Sequence, residues 1–395
     1  MRALYFLPCA ALSGYITMKI VIAPDSYKES LSATEVAQAI EKGLQYVSVP
    51  VADGGEGTVE AMIAATQGSA HSTLVTGPLG EKVHASWGIS GDGKTAFIEM
   101  AAASGLALVP PEKRNPLITT SRGTGELIIQ ALNSGVSNII IGIGGSATND
   151  GGVGMVQALG VKLCDASGTE IGYGGGSLNT LSTIDVSGID PRIKNCAIRV
   201  ACDVTNPLVG ELGASRIFGP QKGANEALIL ELDRNLSHYA DIIKKFLHVD
   251  VKNVPGAGAA GGMGAALMAF LGAELKSGIE IVTQALNLEE HIHDCTLVVT
   301  GEGRIDSQSI HGKVPVGVAS VAKKYHKPVV GIAGSLGKDV SIVHLYGIDA
   351  VFSVLNCICT LEEAFRCSFE NIYQSSRNIA AVLSVGMQTE TKMVQ

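Results

Sequence analysis

The sequence predicts an α/β protein of two domains, one split in sequence and built on a parallel sheet, the other inserted into it with a mixed sheet. Three observations predict this. The chain has 395 residues, more than one hydrophobic core usually organises. Short apolar strands alternate with helical segments at both ends of the chain, as parallel βαβ units require. Between them, a stretch of alternating polar and apolar residues turns at glycines, as antiparallel hairpins do.

The elements follow in order. "KIVIA" (19–23) is a buried strand, and Ser32 then forms a capping box with Glu35 ahead of the helix "ATEVAQAIEKGL". "YVSVPVA" (46–52) is a second strand and "GTVEAMIAATQG" a second helix ended by glycine. Hairpins occupy 71–101, turning at Gly-Pro, Gly-Glu and Gly-Asp-Gly. "NIIIGIGG" and "AIRVACDV" are further strands, with helices near 124–134 and 224–247. At the C-terminal end come "CTLVVTG" (295–301), a helix near 314–325, "PVVGIAG" (328–334), a helix near 338–346, "AVFSVL" (350–355) and a helix near 361–384. The two flanking regions together supply five strands, the number a flavodoxin-like sheet needs. The predicted organisation is therefore a discontinuous flavodoxin-like domain of 18–67 plus 280–385, an inserted mixed α/β domain of 68–279, and a tail of 386–395. Residues 1–17 are read as an N-terminal extension. "MRALYFLPCAALSG" has one arginine and a short apolar run, but no A-x-A cleavage site precedes the strand that opens at Met18.

Composition excludes several functions. Net charge is −8 with no basic run and few aromatics, so no nucleic-acid partner is expected. No stretch reaches the roughly 20 apolar residues of a membrane span. The eight cysteines are scattered, and Cys357 and Cys359 are not a CxxC. They read as reduced, mostly buried thiols of a reducing, cytoplasmic setting. Glycine accounts for 48 residues, well above the usual share of about 7%. These glycines cluster beside polar residues, which suggests backbone-lined binding loops.

Ligands of open parallel sheets bind outside the carboxyl ends of the strands, and here those ends are rich in polar residues. The first strand ends in "PDSYKES", with Asp25, Ser26 and Lys28. The second ends in "ADGGEGT", with Asp53, Gly54, Gly55 and Glu56. A third ends in "TGEGRIDSQS", with Glu302, Arg304 and Asp306, and a fourth in "AGSLGKD". A lone Asp-Gly is usually a turn. Four successive strand ends delivering acids and glycines to one edge point instead to a functional cleft. The inserted domain repeats the pattern. "GIGGSATNDGG" offers Gly144, Gly145, Ser146, Asn149 and Asp150, "CDVTNPL" offers Asp203, Thr205 and Asn206, and "FGPQKGA" offers Lys222. Such a set suits a polyanionic ligand held through Mg²⁺, which needs only one or two carboxylates beside phosphate oxygens and water.

Other patterns carry less. "GIGGSA" and "GAGAAG" fit G-x-G-x-x-A/G, but the first continues into "TNDGG" and the second lacks a clear βαβ unit with a distant acid, so nicotinamide binding is the weaker reading. "GIAGSLGKD" misses the P-loop spacing. "HIH" (291–293) reads as a helix-end feature, Trp87 as a packing residue, and "LILELDRNLSHYADIIKKFL" as an amphipathic surface helix.

The segments "APDSYKESLSATEVAQAI", "VADGGEGT", "TSRGTGELI", "GIGGSATNDGG", "CDVTNPL", "FGPQKGA", "PGAGAAGGMG" and "TGEGRIDSQSIHGK" together resemble the signature segments of the bacterial glycerate kinase family. The resemblance runs in order from about Met18 to Val385. It departs at Tyr27, where Phe is expected, at Glu29, often a small residue, and at Ser309, usually Thr.

The resemblance implies two three-layer α/β/α domains, with the active site in the cleft between them. It implies ATP-dependent phosphorylation of D-glycerate, with 2-phosphoglycerate as the expected product, in sugar-acid and glyoxylate breakdown. ATP and Mg²⁺ are the implied cofactors, and a homodimer is open to the chain. Asp53 or Asp203 would orient or deprotonate the glycerate hydroxyl. Lys28 and Arg304 are the candidates for its carboxylate, with Lys28 grouped among the catalytic residues. Asp150, Glu302 and Asp306 are the candidate Mg²⁺ or water ligands. Lys28, Lys222, Arg304 and Lys313 would supply the cation that the glycine loop itself lacks. Asp25, Ser26, Gly54, Gly55, Gly144, Gly145, Ser146, Asn149 and Asn206 complete the candidate set for substrate and phosphate. The competing functions are a nicotinamide-dependent sugar-acid dehydrogenase and a non-catalytic sugar-acid sensor.

Overall fold

The computed structural model describes residues 19–44 and 58–393. The predicted strand over 46–52 and the loop after it, with Asp53, Gly54, Gly55 and Glu56, lie outside the described residues. Strands run in chain order as β1 (Ile20–Pro24), β2 (Ser69–Thr76), β3 (Lys82–Ile89), β4 (Thr95–Glu99), β5 (Asn138–Gly142), β6 (Lys162–Cys164), β7 (Thr183–Asp185), β8 (Ala197–Ala201), β9 (Glu274–Lys276), β10 (Leu297–Ile305), β11 (Val329–Leu336) and β12 (Ala350–Ser353). Contacts divide the chain into two compact units, Met1–Asp53 with Val282–Gln395, and Gly54–Ile281.

The first unit carries a parallel sheet in the order β1-β10-β11-β12. Every residue of β1 is buried, as a strand covered on both faces demands. This explains why "IVIAP" is a continuous apolar run and not an alternation. Thr300 in β10 sits opposite Ala23 and donates its hydroxyl to the Ala23 carbonyl at 2.8 Å. β10 extends to Ile305, past the predicted end at 301, because Arg304 and Ile305 stay in register with Ser335 and Leu336 of β11. The Ser32 capping box forms as predicted. Ser32 N donates to the Glu35 carboxylate at 2.9 Å and Glu35 N to Ser32 Oγ at 3.3 Å, ahead of the helix Ala33–Leu44.

Two predicted helices differ. The segment near 338–346 is a 3₁₀ stretch, Val340–Tyr346, confined by short connections to its neighbouring strands. The helix near 361–384 is broken at Cys367 into Leu361–Arg366 and Ser368–Met393. At the break the Ser368 hydroxyl turns back onto the Ala364 and Phe365 carbonyls at 2.9 and 2.8 Å, a local competition with the helical ladder.

The second unit holds a mixed sheet ordered β2-β3-β4-β5-β8-β9. β2, β3 and β4 pair antiparallel, whereas β4, β5, β8 and β9 pair parallel. β6 and β7 form a separate antiparallel pair. Trp87 is buried in β3 and donates Nε1–H to Thr73 Oγ1 at 3.0 Å. The helix Thr58–Thr66, grouped by sequence with the other domain, packs in this unit. Val59 N donates to Glu99 of β4 at 2.9 Å, and Ile63 lies over Gly88 of β3. The helix Glu226–Leu247 turns Ile229, Leu232, Leu236, Tyr239 and Ile243 inward, the amphipathic face its periodicity predicts.

The described cysteines are free thiols, but Cys295 alone among them is buried, and Cys357 and Cys367 are exposed. The expectation of mostly buried thiols is therefore corrected. These residues sit at strand ends and in connections, where Cys196 and Cys202 are only partly covered by the core they pack against. No described helix is long and apolar enough to cross a membrane.

Candidate functional site

The first unit gathers its polar residues at the carboxyl ends of β1, β10 and β11. Asp25, Ser26, Lys28, Glu302, Arg304 and Lys313 line one cavity of about 350 Å³. The loop after β1 is fixed by its own backbone. Asp25 N donates to the Gly301 carbonyl at 2.8 Å, and Ser26 N to Asp25 Oδ1 at 2.7 Å. Tyr27 is buried and its hydroxyl donates to the Ile332 carbonyl at 2.9 Å. The phenol thus has a partner on β11, and burial pushes its pKa well up, with Glu302 adding to the shift. Glu29 takes left-handed backbone, φ 63°, a conformation disfavoured for residues other than glycine.

Glu302 is buried and held from two sides. Ser309 Oγ donates to Oε1, and Lys313 Nζ approaches Oε2 at 3.3 Å. Burial raises the pKa of this carboxyl, while Ser309 and Lys313 pull it back down. Ser309 also accepts from Asp306 N at 3.2 Å, so its hydroxyl ties Glu302 to the next acid. Asp306 caps the short turn Ser307–Ile310 and receives Arg304 Nε at 2.8 Å. The Arg304 side chain is 67% exposed. Lys313 stands at the N-cap of the helix Val314–Lys324, and Lys28 is exposed.

The second unit builds a different arrangement on the loop between β5 and the helix Val153–Ala158. Gly144 and Gly145 lie exposed, and a Cβ built on Gly144 meets nothing within 4 Å. Below this open turn the chain is buried. Lys222 is 1% exposed and donates to Ser146 Oγ at 2.7 Å and to the Thr148 carbonyl at 2.6 Å. Burial pushes its ammonium down to about 7, against the raising influence of Asp150. Asn149 donates to Ser215 Oγ at 2.9 Å.

Asp150 is fully buried and both its oxygens serve the protein. Ser121 N and Ser121 Oγ donate to Oδ2 at 2.9 and 2.8 Å, Gly154 N to Oδ2 at 3.3 Å, and Gly152 N to Oδ1 at 3.1 Å. Burial raises its pKa while these four bonds lower it. Three buried polar atoms beside this network, Thr148 Oγ1, Asn149 Oδ1 and Tyr239 OH, find no hydrogen-bond partner in the structure.

The "GAGAAG" stretch underpins this loop. Gly261 has φ 66° and a Cβ there would lie 2.0 Å from the Thr148 carbonyl, so its glycine is required by close packing. This disposes of the dinucleotide pattern, because the approach that needs glycine is made by the protein's own backbone. The remaining predicted residues stand on the loop after β8. Asp203 is exposed and its Oδ1 accepts from Gly278 N at 2.9 Å. Asn206 Nδ2 donates to the Leu212 carbonyl at 2.8 Å. "HIH" forms the last turn of the helix Leu288–His293.

Sequence reasoning missed Ser121 and Ser215, the hydroxyls that hold Asp150 and Asn149. The segment "TSRGTGELI" contains Ser121 at the N-cap of the helix Arg122–Asn133, yet a cap serine carries no signal that its hydroxyl reaches a carboxylate 29 positions on.

The comparisons with known proteins agree with one another. The model of the Glycerate kinase family matches residues 20–384. The chain is 81% identical over 378 residues to a glycerate 2-kinase of Escherichia coli strain K12, covering 94% of this chain and 99% of that protein. It is 56% identical over 375 residues to a glycerate kinase of Bacillus subtilis strain 168, covering 93% and 98%. A crystal structure assigned to a glycerate kinase 2 of Salmonella typhimurium LT2 superposes with a TM-score of 0.88 at 62% identity, over 94% of this chain and 99% of that one. The chain belongs to the glycerate kinase family, whose members are enzymes that transfer a phosphoryl group to an alcohol.

Proposed function

We propose that the protein phosphorylates D-glycerate at its 2-hydroxyl with ATP as donor, drawing residues from both units. The observation that carries this reading is the 81% identity to a glycerate 2-kinase across nearly the whole chain. The polar groups described above are of the kind the chemistry needs, since phosphoryl transfer rests on alignment and charge neutralisation more than on covalent work by the protein.

In this reading the exposed turn at Gly144 and Gly145 receives phosphate oxygens, with Ser146 and Asn149 beneath it. A phosphate there would place negative charge near Lys222 and favour its protonated form. Lys28 and Arg304 bind the glycerate carboxylate, and Lys313 adds positive charge to the same cavity. Asp53 or Asp203 orients the acceptor hydroxyl and takes its proton. Asn206, Asp25 and Ser26 shape the loops around the ligands, as do Gly54 and Gly55.

Magnesium favours oxygen donors and one or two carboxylates, and the first unit's cavity offers this donor class in Asp25 and Glu302. Glu302 would hold the ion, with Asp306, tied to it through Ser309 Oγ, as the second expected acid; when bound, the ion would neutralise charge on the phosphates. Asp150 is assigned a bracing role in place of the metal ligation expected from sequence, because its four hydrogen bonds and full burial commit it to the loop. Free thiols and the need for ATP suit a cytoplasmic setting and a place in sugar-acid breakdown.

The test is ADP release by the purified protein with Mg-ATP, with and without D-glycerate. Release that depends on glycerate is expected. A folded protein that releases no ADP above the glycerate-free rate would overturn the reading.

A further inference from the structure

One wall of the first unit's cavity matches nothing in glycerate. Beyond β12 the chain runs through Val354 and Leu355 to the helix Leu361–Arg366, and both segments line the cavity. Leu361, Ala364 and Phe365 are the helical contributors, and their spacing of i, i+3 and i+4 places them on one face. None of this helix's residues is buried, and none joins the core that packs around β1 and β10. Leu361 is 69% exposed and Leu355 41%. Apolar side chains gathered in a cavity and left open to water mark a binding surface.

The wall is fixed in place. Thr360 and Glu363 cap the start of the helix reciprocally, Thr360 N donating to the Glu363 carboxylate at 2.9 Å and Glu363 N to Thr360 Oγ1 at 3.3 Å. Just past its end, Ser368 Oγ accepts from Ser30 Oγ at 2.5 Å, which ties the wall to the loop that carries Lys28. Much of the remaining lining is charged, with Lys28, Glu302, Arg304 and Lys313 at or near the strand ends. One cavity therefore joins a charged part to an apolar part.

Glycerate has a carboxylate and two hydroxyls but no apolar group, so it can use only the charged part. The cavity's volume of about 350 Å³ also falls in the range that takes far larger ligands, roughly 300–1,000 Å³. A nucleotide suits both parts, because its base covers apolar surface while its phosphates meet cations.

We propose that Leu355, Leu361 and Phe365 form a base subsite, with the adenine of the nucleotide donor laid against the helix Leu361–Arg366 and its phosphates directed toward Lys313 and the ion at Glu302. The inference rests on the proposed use of ATP and adds where the donor's base lies. The wall touches the base alike before and during phosphoryl transfer. Its loss should therefore raise KM for ATP and leave kcat nearly unchanged.

The experiment photolabels the full-length protein with 2-azido-ADP and Mg²⁺, without glycerate, and maps the labelled peptides by mass spectrometry. Label within residues 354–368, suppressed by excess ADP, is the expected result. F365A should weaken ADP binding by about tenfold, the scale of losing one base stack. L361S should weaken it by about threefold or more, and because Leu361 is exposed this variant carries the test if F365A fails to fold. In both variants KM for ATP should rise by a similar factor, with kcat and KM for glycerate nearly unchanged. Label confined to the second unit, or ADP binding unchanged in L361S and F365A, would overturn the subsite. The two readings fail in different ways. Glycerate-dependent ADP release with label elsewhere overturns the subsite alone, whereas neither label nor ADP release overturns the use of ATP as well.

Discussion

The two units present polar residues in opposite ways. The first unit spreads Asp25, Lys28, Glu302, Arg304 and Lys313 around a cavity, with Arg304 largely in solvent and ion-paired to its neighbour but one. The second sinks Lys222, Asn149 and Asp150 beneath a glycine turn, where each is nearly or wholly excluded from water and hydrogen-bonded before any ligand arrives. Exposed ion pairs are weak and adaptable. Buried networks are rigid and costly to disturb. The contrast suggests that the second unit is preorganised, whereas the first sets exposed cations, Lys28 and Arg304, that can adapt to the ligand, beside a fixed Glu302.

The largest expected effect is at Lys222. K222M should lower kcat/KM by about 10²-fold or more, the scale of losing one preorganised electrostatic partner of the transferred group. Stability should respond oppositely. The folded-state value of about 7 lies below the ordinary 10.5, so the unfolded chain binds the proton more tightly. The cost of the buried charge is full below pH 7 and is relieved as pH rises towards 10.5. Ligand-free protein should thus gain stability across that window in urea titrations, and K222M should show a flatter profile. An identical profile would break the picture of a strained buried cation.

D150N comes next. It replaces an acceptor of four hydrogen bonds by a group that also donates, and should cost about 3 kcal/mol in urea unfolding. If Asp150 were a ligand-facing acid instead, D150N would lose activity at nearly unchanged stability.

E302Q should have a moderate effect on stability and a sign set by pH. Burial raises this carboxyl above its ordinary value, so its charged form is disfavoured in the folded state. That penalty is absent at low pH and grows as pH rises from the ordinary value through the raised one. E302Q should therefore be more stable relative to wild type at neutral pH than at pH 4. The smallest effect belongs to R304M. Its surface pair with Asp306 predicts a change within about 0.5 kcal/mol, while KM for glycerate should rise clearly if the guanidinium binds the carboxylate. A large stability loss in R304M would erase the distinction between the two units.

Much of this was legible in the sequence. Apolar runs such as "IVIAP" and "NIIIG" marked buried parallel strands, and the 3.6-residue period of Glu226–Leu247 marked its inward face. The glycine and acid loops at strand ends marked the cavity and the buried network. What was not legible depends on distant partners. The helix Thr58–Thr66 fits either neighbouring unit by its own pattern, and its place is set by Glu99 and Gly88. β10 outruns its apolar stretch because β11 continues beside it. Asp150 reads as a site acid in a loop, and only the fold reveals Ser121 closing over it. A carboxylate that organises a loop and one that faces a ligand look alike in one dimension.

The most direct measurement is phosphorus NMR of the product formed from D-glycerate and Mg-ATP. The account predicts the resonance and proton coupling of a phosphate on C2, appearing as ATP is consumed. A phosphate on C3, or no phosphorylated glycerate from folded protein, would contradict it.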